Sequence, residues 1–295
     1  MKILLLGKNG QIGRALENTL AGHSKLIALG RQDLDLTAPD AIRATIQKLR
    51  PDVIVNAAAY TAVDKAESEP DLAMLVNGTA PGIMAEEAAR LDALLVHYST
   101  DYVFDGTKSA PYTEQDIPHP LNAYGSSKLA GELAICAHAS RYLIFRTSWV
   151  YDGQGKNFLT TIKRLGNQRR ELTIVNDQLG APTWSREIAR TTLPAIKKYL
   201  AHASPQQING IYHLTAQGQT SWFGFAQAAI RYALFADLAA PPTLRAITSA
   251  EYPTPAKRPM YSVLSNAKLL EQFDLQMPDW EVSLRECLQS TGVEK

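Results

Sequence analysis

Tyr124 and Lys128 are the residues whose types and spacing most directly suggest chemistry. They lie in a segment that predicts a helix from Asn122 to Ala137, and a spacing of four residues puts both side chains on one helical face. A lysine ammonium near a phenol stabilises the phenolate, so Lys128 is expected to lower the pKa of Tyr124. A phenol with a lowered pKa can donate a proton to a carbonyl, or accept one from an alcohol, near neutral pH. The pair therefore predicts acid–base chemistry at a carbonyl or alcohol carbon.

A hydroxyl group is expected beside this pair. Ser99, Thr100 and Asp101 come at the end of a predicted strand, Leu94 to Tyr98. Ligands of open α/β sheets bind outside the carboxyl ends of the strands, so Thr100 is expected to face the same site as Tyr124. A tyrosine and a lysine four residues apart also occur by chance on surface helices, but the added hydroxyl favours a functional site over that structural alternative.

The elements that would position these residues alternate between strands and helices over the first half of the chain. The apolar runs and the patterns between them predict strands at Lys2 to Leu6, Lys25 to Leu29, Val53 to Ala57, Leu94 to Tyr98 and Tyr142 to Thr147, and helices at Gln11 to Ala21, Asp40 to Leu49, Asp71 to Leu91 and Asn122 to Ala137. Strict alternation is typical of βαβ units with a buried parallel sheet. The sequence therefore predicts an α/β fold, with a doubly wound parallel Rossmann-type sheet in residues 1–150.

The alternation weakens after about residue 150, and prolines become frequent. The later patterns predict strands at Glu171 to Val175 and Ile211 to Thr215, and helices at Ser185 to Leu200 and Ser221 to Asp237. Pro194 is expected to interrupt the first of these helices, because proline has no amide hydrogen. Trp222, Phe223 and Phe225 are interpreted as core residues. Residues 151–295 are predicted to form mainly a smaller C-terminal α/β domain that binds substrate, with some elements returning to the first sheet.

Three glycines follow the first strand in the sequence GKNGQIG, namely Gly7, Gly10 and Gly13. Glycine permits a tight turn there and lets backbone N–H groups approach a phosphate. The start of the next helix adds a dipole that favours negative charge. Glycine-rich turns also serve simple chain reversal, but this position between the first strand and the first helix favours binding of a dinucleotide pyrophosphate.

The residues after the second strand bear on the choice of dinucleotide. Leu29 is followed by Gly30 and Arg31, with no acidic residue at the strand end. An acid there would favour the free ribose hydroxyl of NADH, whereas an arginine suits the 2′-phosphate of NADPH. The alternative is a solvated surface arginine. The sequence favours NADPH and leaves NADH open, and the small side chains at 57–59 offer room for either cofactor.

Composition limits the other functions of this chain. The 295 residues carry 30 basic and 29 acidic side chains, and this balance gives no electrostatic reason to expect nucleic acid or an anionic membrane as a partner. The two cysteines form no CxxC pair and the six histidines lie at no metal-ligand spacing, so no metal site is predicted. No run approaches the ~20 apolar residues of a membrane span, and a cytoplasmic location is expected.

The chain resembles the dTDP-4-dehydrorhamnose reductases, members of the extended short-chain dehydrogenase/reductase superfamily, over nearly its whole length. General dehydrogenases share the glycine loop and the YxxxK pair, so the more specific motifs carry the resemblance. These are RPDVIVNAAAYTAVDKAE at 50–67, the segment around Asn77, STDYVFDG at 99–106, AYGSSKLAGE at 123–132, FRTSWVY at 145–151, NDQLGAPT at 176–183, GIYHLT at 210–215 and YPTPAKRP at 252–259. The resemblance implies reduction of the C4 ketone of dTDP-4-dehydro-β-L-rhamnose to dTDP-β-L-rhamnose, with hydride from NADPH or NADH, as the last step of dTDP-L-rhamnose synthesis.

The resemblance also implies roles for individual residues. Those that would hold the cofactor are Gly10, Gln11 and Ile12 at the pyrophosphate, Asp35 and Leu36 at the adenine, and Ala58, Ala59 and Tyr60 further in. Those that would act on the dTDP-sugar are Thr100 at its carbonyl, Asp101 beside it, Tyr124 as proton donor, Lys128 at the nicotinamide ribose, Trp149 at the sugar and Arg258 at the diphosphate. An arginine suits the last position because its guanidinium matches phosphate oxygens bidentately.

Metal dependence, assembly and two other functions stay open. Some members of the family are described as dependent on Mg²⁺ held by carboxylates at a dimer contact, so the resemblance leaves Mg²⁺ and a homodimer open, although Ala15 stands where the first helix would provide a carboxylate. The chain could also be a reductase or epimerase of another nucleotide-4-keto-sugar, or a non-catalytic cofactor-binding regulatory subunit. Thr100, Tyr124 and Lys128 argue against the regulatory subunit, because such a role places no demand on them.

Overall fold

A six-stranded parallel sheet forms the centre of the protein. The computed structural model describes residues 1–23, 25–232 and 240–290. Its strands in chain order are β1 Lys2–Leu6, β2 Lys25–Leu29, β3 Val53–Asn56, β4 Leu94–Thr100, β5 Tyr142–Thr147, β6 Val150–Tyr151, β7 Glu171–Val175, β8 Leu179–Gly180, β9 Thr183–Trp184, β10 Gly210–His213, β11 Thr220–Ser221 and β12 Thr243–Ile247. The central sheet has the order β10-β5-β4-β3-β1-β2, and all its neighbouring pairs are parallel. The predicted α/β fold with a doubly wound sheet is confirmed.

Helices cover both faces of this sheet. In chain order they are α1 Gln11–Leu20, α2 Pro39–Leu49, α3 Val63–Ala66, α4 Pro70–Met74, α5 Ala80–Leu91, α6 Ala123–His138, α7 Phe158–Gly166, α8 Ser185–Ala201, α9 Trp222–Arg231, α10 Ala267–Phe273 and α11 Trp280–Ser290. Helices α1 and α8 pack together on one face, and α2, α5 and α6 pack on the other. Within the described residues, no helix is long and apolar enough to cross a membrane.

Alternation along the strands explains why both faces are buried. In β1, Ile3 and Leu5 join the core that α1 and α8 cover, whereas Leu4 and Leu6 join the core under α2 and α5. Successive side chains of a strand point to opposite faces, so a continuous apolar run serves both cores at once. Because all neighbouring pairs are parallel, the carboxyl ends of the strands lie at the same edge of the sheet, where they can position a site.

Two segments after residue 150 join the layers of the first half. Strand β10 pairs with β5 at the edge of the sheet, and α8 packs on α1. The expectation that Pro194 interrupts its helix was wrong, since α8 continues through it. Leu193, Ile196 and Tyr199 are buried on the sheet side of α8, and this packing on both sides of the proline compensates for one missing hydrogen bond.

The remaining elements surround a separate apolar cluster. Three small pairings, β7 with β12, β8 with β11 and β6 with β9, accompany helices α7, α9 and α11 around it. Phe225 of α9 lies in this cluster, as predicted, and Phe223 packs partly against it. The helix predicted from Ser221 to Asp237 is present as α9, and the part of that prediction from residue 233 onward lies outside the described residues.

Candidate active site

A cavity of about 920 Å³ lies at the carboxyl ends of the central strands. It is bordered by the residues that follow β1, β2 and β3 and by the ends of β4 and β5, where the strand order reverses between β1 and β3. Ligands of open α/β sheets bind at such a point. All the sequence-predicted site residues except Gly13 line it, namely Gly7, Gly10, Gln11, Ile12, Arg31, Asp35, Leu36, Ala58, Ala59, Tyr60, Thr100, Asp101, Tyr124, Lys128, Trp149 and Arg258.

Close backbone packing explains two of the three glycines. Gly7 has a φ of 84°, a left-handed conformation, and a Cβ on it would lie 2.6 Å from the backbone nitrogen of Ala58. A Cβ on Gly13 would lie 2.0 Å from the carbonyl oxygen of Gly7. Gly13 therefore holds α1 against the loop rather than lining the cavity. A Cβ on Gly10 would meet its nearest neighbour, the same oxygen, at an ordinary 3.4 Å, so this position has room on the cavity side.

The first turn of α1 suits an anionic ligand. Gly10 is its N-cap residue, no side chain caps the helix, and no acidic residue lies in the first turn. The N–H groups at the start of a helix lack partners within the helix, and the helix dipole favours negative charge there. The loop and helix therefore fit the pyrophosphate of a dinucleotide.

Alanine at Gly13 and alanine at Gly10 should have opposite effects. Gly13→Ala forces a backbone shift, so we expect the free energy of unfolding to fall by about 1–3 kcal/mol. Gly10→Ala should leave stability within about 0.5 kcal/mol but weaken NADP⁺ binding by roughly tenfold or more, because its methyl group would occupy the pyrophosphate position. Urea unfolding and fluorescence titration with NADP⁺ measure the two effects. Equal stability of both variants would contradict this account of Gly13.

Tyr124, Thr100 and Asp101 form a polar series in the cavity, in which Thr100 and Asp101 are buried. The Thr100 hydroxyl donates to Asp101 Oδ1 at 3.0 Å, and Thr100 also lies beside the Tyr124 phenol. Asn122 fixes the start of α6, because its side chain accepts from the Gly125 N–H at 2.8 Å. The structure thus brings together the hydroxyl and the phenol that the sequence predicted to meet.

Burial dominates the acidity of this series. It raises the pKa of Tyr124 above its ordinary value, with smaller contributions from Asp101 and Tyr102, and only the Thr100 hydrogen bond lowers it. The prediction that Lys128 lowers this pKa was therefore wrong. Desolvation sets the direction of the shift, and Lys128 is not among the groups that act on the phenol. Burial also raises the pKa of Asp101 to about 6. Tyr124 is consequently protonated at neutral pH, which is the form that can donate a proton.

Lys128 lies in the wall of the cavity with its ammonium end directed at β4. Its Nζ donates to the carbonyl oxygen of Tyr98 at 2.6 Å and lies 3.1 Å from His97 Nε2. Burial lowers the pKa of Lys128 to about 8, and the charge of Glu132, one turn further along α6, opposes this shift. A lysine in this condition can gain or lose a proton close to neutral pH.

Two stacked tryptophans line the cavity. The rings of Trp149 and Trp222 are 3.6 Å apart and nearly parallel, at 6°. Gly180 leaves space for Trp149, since a Cβ there would lie 2.5 Å from the indole ring. Trp222 packs partly buried against the same apolar cluster as Phe223, as predicted, but it also lines the cavity and donates from its Nε1 to Gln178 at 3.2 Å. Trp222 belongs to an aromatic group in α9 with Phe223 and Phe225, and nothing in the sequence indicated that only Trp222 would line the cavity.

Arg258 enters the cavity from the loop before α10 and is held by an acid. Its Nη2 lies 2.9 Å from Asp64 Oδ2, and its Nη1 lies 3.5 Å from the Tyr102 hydroxyl. Its Nε is buried without a hydrogen-bond partner in the part of the chain that the structure describes. Asn122 also anchors this loop, because its side chain donates to the Lys257 carbonyl at 2.8 Å. The guanidinium thus retains donor capacity for a ligand.

Asn77 organises the site in a way that sequence reasoning missed. The helix predicted from Asp71 to Leu91 is broken between α4 and α5 by a π-helical turn, Leu75–Thr79, that contains it. The buried Asn77 amide accepts from the Tyr60 N–H at 2.8 Å and donates to the Ser127 hydroxyl at 3.0 Å. It therefore ties the loop after β3 to the helix that carries Tyr124.

The described residues do not fit a Mg²⁺ site. Across 1–23, 25–232 and 240–290, no group of three or more His, Cys, Asp or Glu side chains could hold a metal ion. Ala15 packs partly buried against the core instead of presenting a carboxylate.

Comparison with known proteins identifies the family. A family model described as RmlD substrate binding domain matches residues 1–293. The chain is 47% identical to the dTDP-4-dehydrorhamnose reductase of Burkholderia thailandensis, with 98% of each chain covered. It belongs to the dTDP-4-dehydrorhamnose reductase family. The family recognised from the sequence motifs is therefore confirmed.

Solved structures of dTDP-4-dehydrorhamnose reductases share this fold in detail. The crystal structure of the enzyme from Clostridium acetobutylicum superposes with a TM-score of 0.90 at 39% identity, covering 98% of this chain and 99% of that one. The structure from Bacillus anthracis, solved in complex with NADP, gives a TM-score of 0.89 at 34% identity, with 98% and 99% covered.

The motifs that set this reductase family apart from general dehydrogenases converge on the cavity. FRTSWVY provides Trp149 and YPTPAKRP provides Arg258. NDQLGAPT acts indirectly: its Gln178 accepts a hydrogen bond from Trp222, and its Gly180 leaves space for the Trp149 ring. The late motifs therefore shape the wall of the cavity around Trp149 and Arg258.

Proposed function

We propose that this chain reduces the C4 ketone of dTDP-4-dehydro-β-L-rhamnose to dTDP-β-L-rhamnose, using NADPH or NADH, as the last step of dTDP-L-rhamnose synthesis. The observation that carries the proposal is the position of Tyr124. Its protonated phenol lies beside Thr100 in the cavity that the glycine loop and the two stacked tryptophans also line. One cavity thus holds residues suited to a dinucleotide and residues suited to a nucleotide sugar around a single proton donor.

The residues of the chain supply orientation and a proton. A bound nicotinamide cofactor would supply the hydride. Thr100 turns its single hydroxyl proton from Asp101 to the substrate carbonyl oxygen, and Tyr124 protonates that oxygen as negative charge develops on it. Trp149 stacks against the sugar, and Arg258 pairs with the diphosphate through its unused donors. Lys128 holds the nicotinamide ribose from the β4 side of the cavity.

Arg31 should distinguish the two nicotinamide cofactors. It is exposed, lines the cavity after β2 and forms no salt bridge within the described residues, whereas the nearby Asp33 is paired with Lys8 at 2.8 Å. We expect Arg31→Ala to weaken NADPH binding by about tenfold or more, with little change for NADH, because a charge-assisted contact to the 2′-phosphate is lost. Titration of both cofactors measures this. Arg190→Ala, on α8, is the control, and equal losses for both cofactors at Arg31 would contradict the assignment.

Turnover of the proposed substrate tests the function. Purified chain is mixed with NADPH, dTDP-glucose and the dehydratase and epimerase that convert dTDP-glucose into the 4-keto sugar, and cofactor oxidation is followed by absorbance. We expect oxidation that depends on all components and a product that NMR identifies as dTDP-β-L-rhamnose. A different sugar product would show a reductase of another keto sugar. Cofactor binding without turnover would indicate the regulatory alternative.

A further inference from the structure

Three buried side chains form a hydrogen-bonded row from β3 to α6. Asn56, at the end of β3, has its Nδ2 3.0 Å from Nδ1 of His97 in β4. The Nε2 of the same ring lies 3.1 Å from Lys128 Nζ. Each of the three residues is at most 1% exposed, so water cannot replace any of these partners. The donors and acceptors in the row must therefore match one another.

The orientation of Asn56 decides the protonation of His97. The Asn56 Oδ1 accepts from the Ala58 N–H at 3.1 Å, so the carbonyl end of the amide faces Ala58 and the NH₂ end faces His97. An amide nitrogen only donates, hence His97 Nδ1 must accept and carries no proton. Burial holds the pKa of His97 well below its usual value, so the ring is neutral. Its single proton is then on Nε2.

That proton points at Lys128. An ammonium has three donor hydrogens and no acceptor. If Lys128 were an ammonium, two donors, its Nζ–H and the His97 Nε2–H, would oppose each other at a nitrogen–nitrogen distance of 3.1 Å. A neutral amine has a lone pair that accepts from Nε2–H, while one of its own hydrogens goes to the Tyr98 carbonyl at 2.6 Å. We infer that Asn56 fixes His97 as the Nε2–H tautomer and that this tautomer holds Lys128 as a neutral amine in the cofactor-free protein. His97 is thus a positioning residue that acts through Lys128.

The charged groups around Lys128 do not overturn this assignment. Glu132 on α6 favours the ammonium, but both its carboxylate oxygens are bound by the Arg146 guanidinium of β5, at 2.9 and 2.7 Å. Tyr124, on the same helix, is protonated and uncharged at neutral pH. Burial acts in the same direction as His97 and lowers the pKa of Lys128. The hydrogen-bonded row therefore lowers the pKa of Lys128 further than burial alone does.

Cofactor binding should change the protonation state of Lys128. Ribose and phosphate oxygens accept hydrogen bonds from an ammonium, and phosphate charge stabilises it, so a bound dinucleotide raises the proton affinity of Lys128. Lys128 therefore takes up a proton as the cofactor binds, and binding weakens as the pH rises above the midpoint of free Lys128. This consequence rests on the proposed function, whereas the charge state of Lys128 does not, because it is measured without cofactor or substrate.

Nuclear magnetic resonance of the full, cofactor-free chain tests the proposal. Long-range ¹⁵N–¹H spectra of histidine-labelled protein report which ring nitrogen carries the proton, and the His97 signals are those lost in His97→Gln. We expect the Nε2–H form from acidic to alkaline pH. Finding the Nδ1–H form in the wild type would overturn the proposal. This measurement is made on the wild-type protein, and only the assignment of the His97 signals requires a folded His97→Gln variant.

The titration of Lys128 supplies the second readout. In ¹³Cε-lysine-labelled protein, the midpoint of Lys128 should lie well below the pH of about 8 that burial alone gives, and His97→Gln should raise it by about one unit, because the amide oxygen accepts from an ammonium. His213→Gln, at another buried histidine that bonds the Tyr112 carbonyl, should leave it unchanged. Asn56→Asp, whose carboxylate only accepts, should convert His97 to the Nδ1–H form. An unchanged midpoint in His97→Gln would show that burial alone acts, and would overturn the proposal.

Discussion

Replacing Tyr124 by phenylalanine should reduce kcat by about 10²–10⁴-fold while leaving the dissociation constant of NADP⁺ nearly unchanged. The variant loses one hydroxyl group, which is the proposed proton donor to the developing alkoxide. The ring stays, and with it the edge-on contact to Tyr102 at 5.8 Å between ring centroids. Steady-state rates with the 4-keto sugar and a separate cofactor titration measure the two quantities.

A second buried tyrosine provides the control for this variant. Tyr212→Phe, on β10, also removes a buried phenol hydroxyl, in this case one that donates to the Ile208 carbonyl at 2.8 Å outside the cavity. We expect it to retain the wild-type rate. Near wild-type activity in Tyr124→Phe, or a comparable loss in Tyr212→Phe, would contradict the role assigned to Tyr124.

Replacing Arg146 by methionine should lower the free energy of unfolding by about 3–5 kcal/mol. Arg146 and Glu132 are 2% and 1% exposed and meet through two parallel hydrogen bonds, and the guanidinium also lies over the Phe104 ring at 5.0 Å. Without Arg146, a carboxylate stays buried with no counter-charge, which costs far more than the loss of a pair at the surface. Urea unfolding measures the difference.

Two further variants show whether the isolated charge is the cause. The double variant Arg146→Met with Glu132→Leu leaves no buried charge, and it should be more stable than Arg146→Met alone. Arg190→Met, which removes a half-exposed partner of Glu187 at 2.9 Å, should cost less than about 1 kcal/mol. A double variant less stable than the single one would mean that packing, not charge, dominates at Arg146.

The central sheet was predictable because its signal is local. Each of its first five strands is a short apolar run whose alternate residues serve two cores, and the helices between them show their own period. The second half was harder, because β6, β8, β9 and β11 have two residues each, too few for any periodicity. Helix α11 carried a signal that was overlooked, since Trp280, Leu284 and Cys287 are spaced at four and three residues and are all buried.

The sequence predicted which residues line the candidate site better than it predicted their pKa values. Spacing and strand position placed Thr100, Tyr124 and Lys128 around one cavity, as the structure does. Burial was not visible in the sequence, and it reverses the expected pKa shift of Tyr124. The contact between His97 and Lys128 depends on the register of β4 against α6, which no local pattern encodes. Trp222 was missed for the same reason, because its partner Trp149 is distant in the chain.

Deuterium transfer tests the central claim most directly. The chain is supplied with dTDP-4-dehydro-β-L-rhamnose and NADPH that carries deuterium at the transferable position of the nicotinamide, and the isolated sugar nucleotide is analysed by NMR. If the chain is the proposed reductase, dTDP-β-L-rhamnose forms with one deuterium at C4, in proportion to the cofactor oxidised. A sugar nucleotide without deuterium at C4, or cofactor that remains bound and unoxidised, would contradict it.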